Sequence, residues 1–179
     1  MKYGFLVVVV FVVAIVVCLC TPTVPKENAD YLRIHIRADS NDEKAQNVKY
    51  KVKVAVVDYL TPLLVGVSNK SDAVSKVSSC LDELEAVANA VLTDEGFDYK
   101  CRAEVRAENF PCRTYGSLTL QSGVYDALIL QLGSGEGDNW WCVVYPPLCF
   151  VGGENNGTNS IVYRSFLKEV IDKFLAEHK

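Results

Sequence analysis

The segment YLRIHIR, residues 31–37, sets the fold class of this chain. Apolar and polar side chains alternate strictly along it, with Leu32, Ile34 and Ile36 set against Arg33, His35 and Arg37. Because successive side chains of a strand point to opposite faces, the alternation predicts a β-strand with one buried face. Ser40 and Glu43 follow with the spacing of a capping box, which predicts that a helix begins soon after the strand.

Helical and extended periodicities follow one another along the rest of the chain. An amphipathic helix is predicted from Ala45 to Leu63, and a second begins at Ser71 and ends before Gly96. The other predicted elements are strands at Tyr99–Phe110, Ser117–Leu120, Val124–Leu132 and Trp140–Tyr145, and a last amphipathic helix at Ser160–His178. This order predicts an α+β fold, a single domain whose small, mostly antiparallel sheet packs with about three amphipathic helices.

The N-terminus has the composition of an export segment. Phe5 to Cys20 is a run of sixteen residues without a charge, preceded by Lys2. This pattern is typical of a signal peptide, and its length also fits a short uncleaved anchor. We divide the chain into a signal peptide or anchor (1–20), a spacer (21–30), a folded domain (31–151), and a linker with the C-terminal helix (152–179). The domain is predicted to be exported, with membrane contact only through the N-terminal segment.

Charge and cysteine content narrow the classes of function. A net charge of -4 and a pI of 5.2 argue against nucleic-acid binding, which needs a basic surface. The seven cysteines and two histidines show no standard zinc spacing. No pattern supports His35 with Cys112 or Cys142 as base and nucleophile, and no carboxylate pair stands out. No catalytic residue, metal site or cofactor is therefore predicted.

The glycine-rich segment Gly133–Asn139, GSGEGDN, contains a G-x-G-x-G pattern that also occurs in nucleotide-binding loops. A dinucleotide fingerprint needs a helix directly after the loop, whereas here a strand begins at Trp140. The segment is therefore predicted to connect two strands as a hairpin.

Aromatic residues and prolines crowd the segment from Trp140 to Phe150. Both faces of the predicted strand are apolar, so either both are buried or one is exposed and binds a partner. The candidate partner-binding residues are Trp140, Trp141, Tyr145, Pro146, Pro147, Leu148 and Phe150.

Two blocks of sequence resemble the stage II sporulation protein R family. The first comprises LRIHIRADSND (32–42), Gln46 and KYKVKVAV (49–56). The second comprises Tyr115-Gly116, Gly123-x-Tyr125-x-Ala127-Leu128 and GSGEGDNWWCVVYPPLCF (133–150). The resemblance spans residues 31–151, and it is weak in the second helix and after Gly152.

The resemblance implies a signalling protein without catalysis of its own. Members of this family are exported from the forespore into the space between forespore and mother cell. There they activate a membrane-embedded aspartic protease of the mother cell, which then processes pro-sigma-E. The alternative from another class is an exported, cell-wall-associated sugar-binding module or hydrolase that uses the tryptophan-rich strand.

Cys142 and Cys149 both lie in the family-like motif, which distinguishes them from Cys80, Cys101 and Cys112. We expect these two cysteines to pair, because Pro146 and Pro147 between them favour a chain that turns back. The alternative is that both are free thiols buried beside the tryptophans.

Overall fold

The computed structural model describes residues 30–115, 118–150 and residue 176. In chain order the elements are β1 (Leu32–Arg37), α1 (Glu43–Leu64), α2 (Lys70–Ser78), α3 (Leu81–Asp94), β2 (Cys101–Phe110), β3 (Arg113–Tyr115), β4 (Leu118–Leu120), β5 (Gly123–Leu132), β6 (Asn139–Tyr145) and a 3-10 turn at Leu148–Phe150. The predicted N-terminal segment and C-terminal helix lie outside the described residues.

A four-stranded sheet in the order β2-β5-β1-β6 organises these elements, and β3 pairs with β4 in a separate small hairpin. Strand β5 is antiparallel to β2 and parallel to β1, and β1 is antiparallel to β6. The parallel pair needs a long crossover, and α1, α2 and α3 lie within that connection. The predicted α+β class with a mostly antiparallel sheet and three helices is confirmed.

The helices pack on one face of the sheet and form the main hydrophobic core there. Leu32, Ile34 and Ile36 of β1 are fully buried, and Leu128 and Leu130 stand beside them on β5. The helices cover them with the buried residues Val48, Val52, Val56 and Leu60 of α1 and Leu84, Ala88 and Leu92 of α3. Burial of this face orients β1 and so decides where its polar side chains point. Across the described residues, no helix is both long enough and apolar enough to cross a bilayer.

Two predictions about the helices are wrong in detail. The second predicted helix is divided into α2 and α3 by a turn at Ser79 and Cys80. One helix ends and the next begins at this turn, so their backbone hydrogen bonds do not form one continuous series. The Ser40–Glu43 capping box does not form. Helix α1 has Asp42 as its N-cap, so Glu43 is its first residue and stands too early to reach back to Ser40.

The strand pairings also differ from those predicted. Segment Gly133–Asn139 is not a hairpin loop, because β1 lies between β5 and β6 and the segment must pass over the end of β1. Strand β4 pairs with β3, although β5 is also adjacent to it along the chain. In both cases the partner is chosen by contacts with residues distant in sequence, which local turn signals do not encode.

Candidate functional site

The glycine-rich segment and the turn after β1 interlock at one end of the sheet. Four hydrogen bonds join them: Ser134 N to Asp39 Oδ1 at 2.7 Å, Ser134 Oγ to Asp39 O at 2.6 Å, Gly137 N to Ala38 O at 2.9 Å, and Asp138 N to Asn41 Oδ1 at 2.6 Å. The two blocks that carry the family resemblance therefore meet in space, and their polar residues hold the start of β6 in position.

Two glycines make this close approach possible. Gly133 has φ +56°, and a Cβ there would overlap the carboxylate of Asp39. A Cβ on Gly137 would overlap the backbone carbonyl of Ser40 and lie 2.9 Å from its Cα. Glycine is required at Gly137 because backbone stands against backbone there and neither chain can yield.

Lys49 of α1 connects this helix to the interlocked segments through hydrogen bonds. Its side chain is almost fully buried, and its ammonium donates to Gln46 Oε1 at 2.6 Å and to Asp138 O at 2.9 Å. Burial lowers the pKa of Lys49, while the nearby Asp138 carboxylate acts in the opposite direction. The hydrogen bond to a loop carbonyl links the helix to the segment that leads into β6.

The second face of the sheet buries the polar side chains of β1, so the prediction that only one face is buried is wrong. Arg33 is 0% exposed. Its guanidinium carbon lies 4.1 Å from the ring centroid of Phe110, 4.7 Å from that of Tyr125 and 5.9 Å from that of Tyr115, whose hydroxyl accepts a bond from Nη2 at 2.9 Å. Within the described residues, Arg33 Nε and Nη1 have no hydrogen-bond partner. Cation–π contacts therefore replace much of the hydration that this charge loses.

His35 and Arg37 share one carboxylate on the neighbouring part of this face. His35 Nδ1 donates to Glu108 Oε1 at 3.0 Å, and Arg37 Nη2 donates to the same oxygen. Burial lowers the pKa of His35 from its ordinary 6.5, although Asn139 and Glu108 act against this. Burial by itself would raise the pKa of Glu108, but the Arg37 hydrogen bond and the His35 charge outweigh it, and the net shift is downward.

We predict that His35 makes the domain less stable as the pH falls below neutrality. Because its folded pKa lies below 6.5, the unfolded chain takes up a proton first, and the folded state loses stability as the pH falls through about 6.5. His35→Gln should flatten the dependence of the unfolding free energy on pH between about 7.5 and 5.5. His178→Gln, which changes the only other histidine, should keep the wild-type slope. Equal slopes in all three proteins, by chemical denaturation, would contradict the prediction.

The two tryptophans of β6 point to opposite faces of the sheet. Trp141 is half-buried on the polar face, where it stacks on His35 at 5.3 Å and lies under the Arg113 guanidinium at 4.5 Å. Trp140 is half-buried on the helix side, with the Lys53 ammonium 5.7 Å from its ring centroid. Both rings thus belong to polar-aromatic contacts at the edge of the sheet.

Helix α1 carries the two large apolar side chains that are exposed in the described part of the chain, Tyr50 at 49% and Val54 at 42%. They are one helical turn apart, so they lie on one face of α1. Lys53 reaches from Trp140 toward Tyr50, whose ring centroid is 6.0 Å from its ammonium. We call the group Tyr50, Lys53, Val54 and Trp140 the α1–β6 surface.

The segment after β6 folds back on itself. Cys142 and Cys149 form a disulfide with their Cα atoms 5.9 Å apart, and the turn at Leu148–Phe150 packs against α1. Tyr145, Pro146 and Pro147 are buried, Leu148 is half-buried, and the Phe150 side chain lies outside what the structure describes. Of the predicted partner-binding residues whose side chains are described, Trp140, Trp141 and Leu148 therefore retain accessible surface, whereas Tyr145, Pro146 and Pro147 are buried.

Of the two cysteines considered with His35 from the sequence, Cys112 is a free, exposed thiol and Cys142 is not placed to react. Cys142 lies opposite Ile34 on the helix side of the sheet and is in the disulfide, whereas His35 lies on the polar side opposite Trp141. Within the described residues, no group of three or more His, Cys, Asp or Glu side chains could hold a metal ion.

Sequence reasoning missed Arg33, Glu108, Tyr50 and Val54. The alternation in β1 marked Arg33 as a polar-face residue but gave no sign that a second layer covers it. Glu108 is 73 residues from His35, and no local signal joins them. The apolar character of Tyr50 and Val54 beside the lysines of α1 was visible, and it would have indicated an exposed apolar patch.

The family model for stage II sporulation protein R matches residues 28–155. Stage II sporulation protein R of Bacillus subtilis (strain 168) is 32% identical over 124 residues, which cover 69% of this chain and 55% of that protein. The chain thus matches just over half the length of this curated relative. No solved structure gives a significant match.

Proposed function

This chain belongs to the stage II sporulation protein R family, and from this we propose that it is an exported signalling protein that activates a membrane-embedded aspartic protease. Activation would lead to processing of pro-sigma-E in the mother cell, with no catalysis by this chain. Family membership supports a role in sporulation, and the uncharged run Phe5–Cys20 supports export from the forespore.

We place the contact with the protease at the α1–β6 surface, together with Leu148. The observation that carries this choice is the exposure of Tyr50 and Val54 on α1, with the Lys53 ammonium between the Tyr50 and Trp140 rings, because exposed apolar side chains rimmed by charge are typical of binding sites. Aromatic side chains also contribute most to binding energy at such interfaces. The interlocked glycine segment and Lys49 hold β6 against α1, so the surface is presented on two fixed elements.

Reporter processing in a host that produces the protease and pro-sigma-E tests this proposal. Tyr50→Ala/Trp140→Ala in the full exported chain should reduce processing about tenfold or more, because two aromatic contacts are lost. The control variant Arg102→Ala/Glu104→Ala changes two exposed side chains on the opposite edge strand and should process normally. Thermal unfolding of each protein separates loss of contact from loss of fold. Normal processing by the aromatic variant would place the contact elsewhere, and no processing with the wild-type chain would refute the activator role.

The sugar-binding alternative finds less support. Glycan platforms use aromatic rings that share one exposed face, whereas Trp140 and Trp141 point to opposite faces of the sheet. The Trp141 ring is also in contact with both His35 and Arg113. Retention on cell-wall glycan without reporter processing would favour this alternative.

A further inference from the structure

Strand β2 is the edge strand of the sheet on the side opposite to β6. Part of its outer edge has backbone N–H groups with no hydrogen-bond partner within the described residues. Gly133 N donates to Lys100 O at 3.0 Å, so even-numbered residues of this strand bond toward β5. Odd-numbered residues bond outward, as Cys101 N and Ala103 N show by donating to Asn89 Oδ1 and Glu85 Oε1 of α3, both at 2.8 Å.

Beyond these two capped positions, Val105, Ala107 and Asn109 also direct their backbone N–H and C=O groups outward by the same alternation. Within the described residues, these outward N–H groups have no hydrogen-bond partner. We call these three residues the open window. Glu85 limits the window at one end, and at the other β2 ends at Phe110 before Pro111, which has no N–H. The centre of the window is Ala107, which is exposed.

The charges beside Ala107 make this window complementary to itself. Arg106 and Glu108 flank it on the same face of the strand. Two copies that meet antiparallel about Ala107 place each Arg106 opposite the Glu108 of the other copy, which is favourable at both pairs. In the single chain, Arg106 already donates to Glu108 Oε2 at 3.3 Å, so this oxygen is accessible to an arginine.

The neighbouring registers are each excluded by a specific conflict. A two-fold axis at Arg106 places two arginines opposite each other, and an axis at Glu108 places two glutamates opposite each other, which is unfavourable. An axis at Val105 brings the other copy's carbonyl to Ala103 N, where the Glu85 carboxylate already lies. Only the register about Ala107 joins free backbone groups and opposite charges.

We propose that two copies of this chain pair antiparallel through β2, about Ala107. Exposed edge strands are usually protected by charges that repel a second strand. The charges of this edge alternate in sign from Arg102 to Glu108, so they favour a second copy instead of repelling it. Pairing joins two four-stranded sheets into a continuous one and leaves both α1–β6 surfaces at its far ends. This proposal stands independently of the protease as partner.

The first test measures self-association of the full chain in density-matched detergent by sedimentation equilibrium. The wild-type chain should dimerise, and Arg106→Glu should raise the dissociation constant about tenfold, because two attractive pairs become repulsive. Arg102→Glu, the same charge change on the same face but outside the window, should have little effect. A chain that stays monomeric at every concentration, or equal effects of the two variants, would overturn the proposal.

The second test fixes the register. In a Cys112→Ser background, Ala107→Cys should be cross-linked to a dimer by a short bismaleimide, because the two substituted positions face each other. Arg102→Cys should remain monomeric, because the register places position 102 opposite position 112 of the other copy. If Ala107→Cys reacts with a monofunctional maleimide but does not cross-link, the two strands do not pair about this residue.

Discussion

Gly137→Ala should destabilise the domain by about 3 kcal/mol, near the upper end for overpacking, and lower its unfolding temperature by roughly 10 °C. The new methyl group would overlap the Ser40 carbonyl, and both groups belong to backbone that is held by hydrogen bonds. Relief of the overlap requires the glycine-rich segment to move away from the turn after β1. This movement would break the bonds of Ser134 and Asp138 as well.

Gly96→Ala provides the control for this experiment. Gly96 has φ +78° with no atom within 4 Å of an added Cβ, so alanine there suffers backbone strain but no collision. Its cost should be about 1 kcal/mol. Chemical denaturation of both variants compares the two effects directly. If Gly137→Ala costs no more than Gly96→Ala, the two segments are not locked together as the structure indicates.

Arg33→Ala should destabilise the domain by about 3 kcal/mol, since it removes a fully buried side chain from between aromatic rings and leaves a cavity. Arg33→Met should remain within about 1 kcal/mol of the wild type. Methionine fills most of the space, and it also removes a buried charge whose Nε and Nη1 have no partner in the described part of the chain. The measurement is the unfolding free energy of the two variants and the wild type.

The comparison between alanine and methionine separates volume from charge. If methionine is as destabilising as alanine, the cation itself holds Phe110, Tyr115 and Tyr125 together, and the cation–π contacts outweigh the loss of hydration. If neither variant is destabilising, the residues that cover this face are not part of the cooperative core. Both outcomes would contradict the expected ranking.

The local pattern of the sequence was sufficient to place most elements. Strict alternation placed β1 and β2, and three- and four-residue spacing placed α1, because backbone geometry imposes these periods on any amphipathic element. Strand β6, which is apolar on both faces, was placed by its high β-propensity. The motif around Trp140 also marked the edge strand that we propose as part of the binding surface. These features depend on neighbours within a few residues, so they can be read without knowledge of the fold.

Only the tertiary structure decided which strands pair and which polar residues are buried. Strand β1 lies between β5 and β6. The segment Gly133–Asn139, which was predicted to be a hairpin loop, therefore passes over the end of β1 in a close approach that requires Gly137. The same position of β1 buried Arg33 and brought His35 to Glu108, 73 residues away. Pairing and burial are set by the total free energy of packing many distant segments at once. A period of two residues shows that a strand has two faces, but it does not show what will cover them.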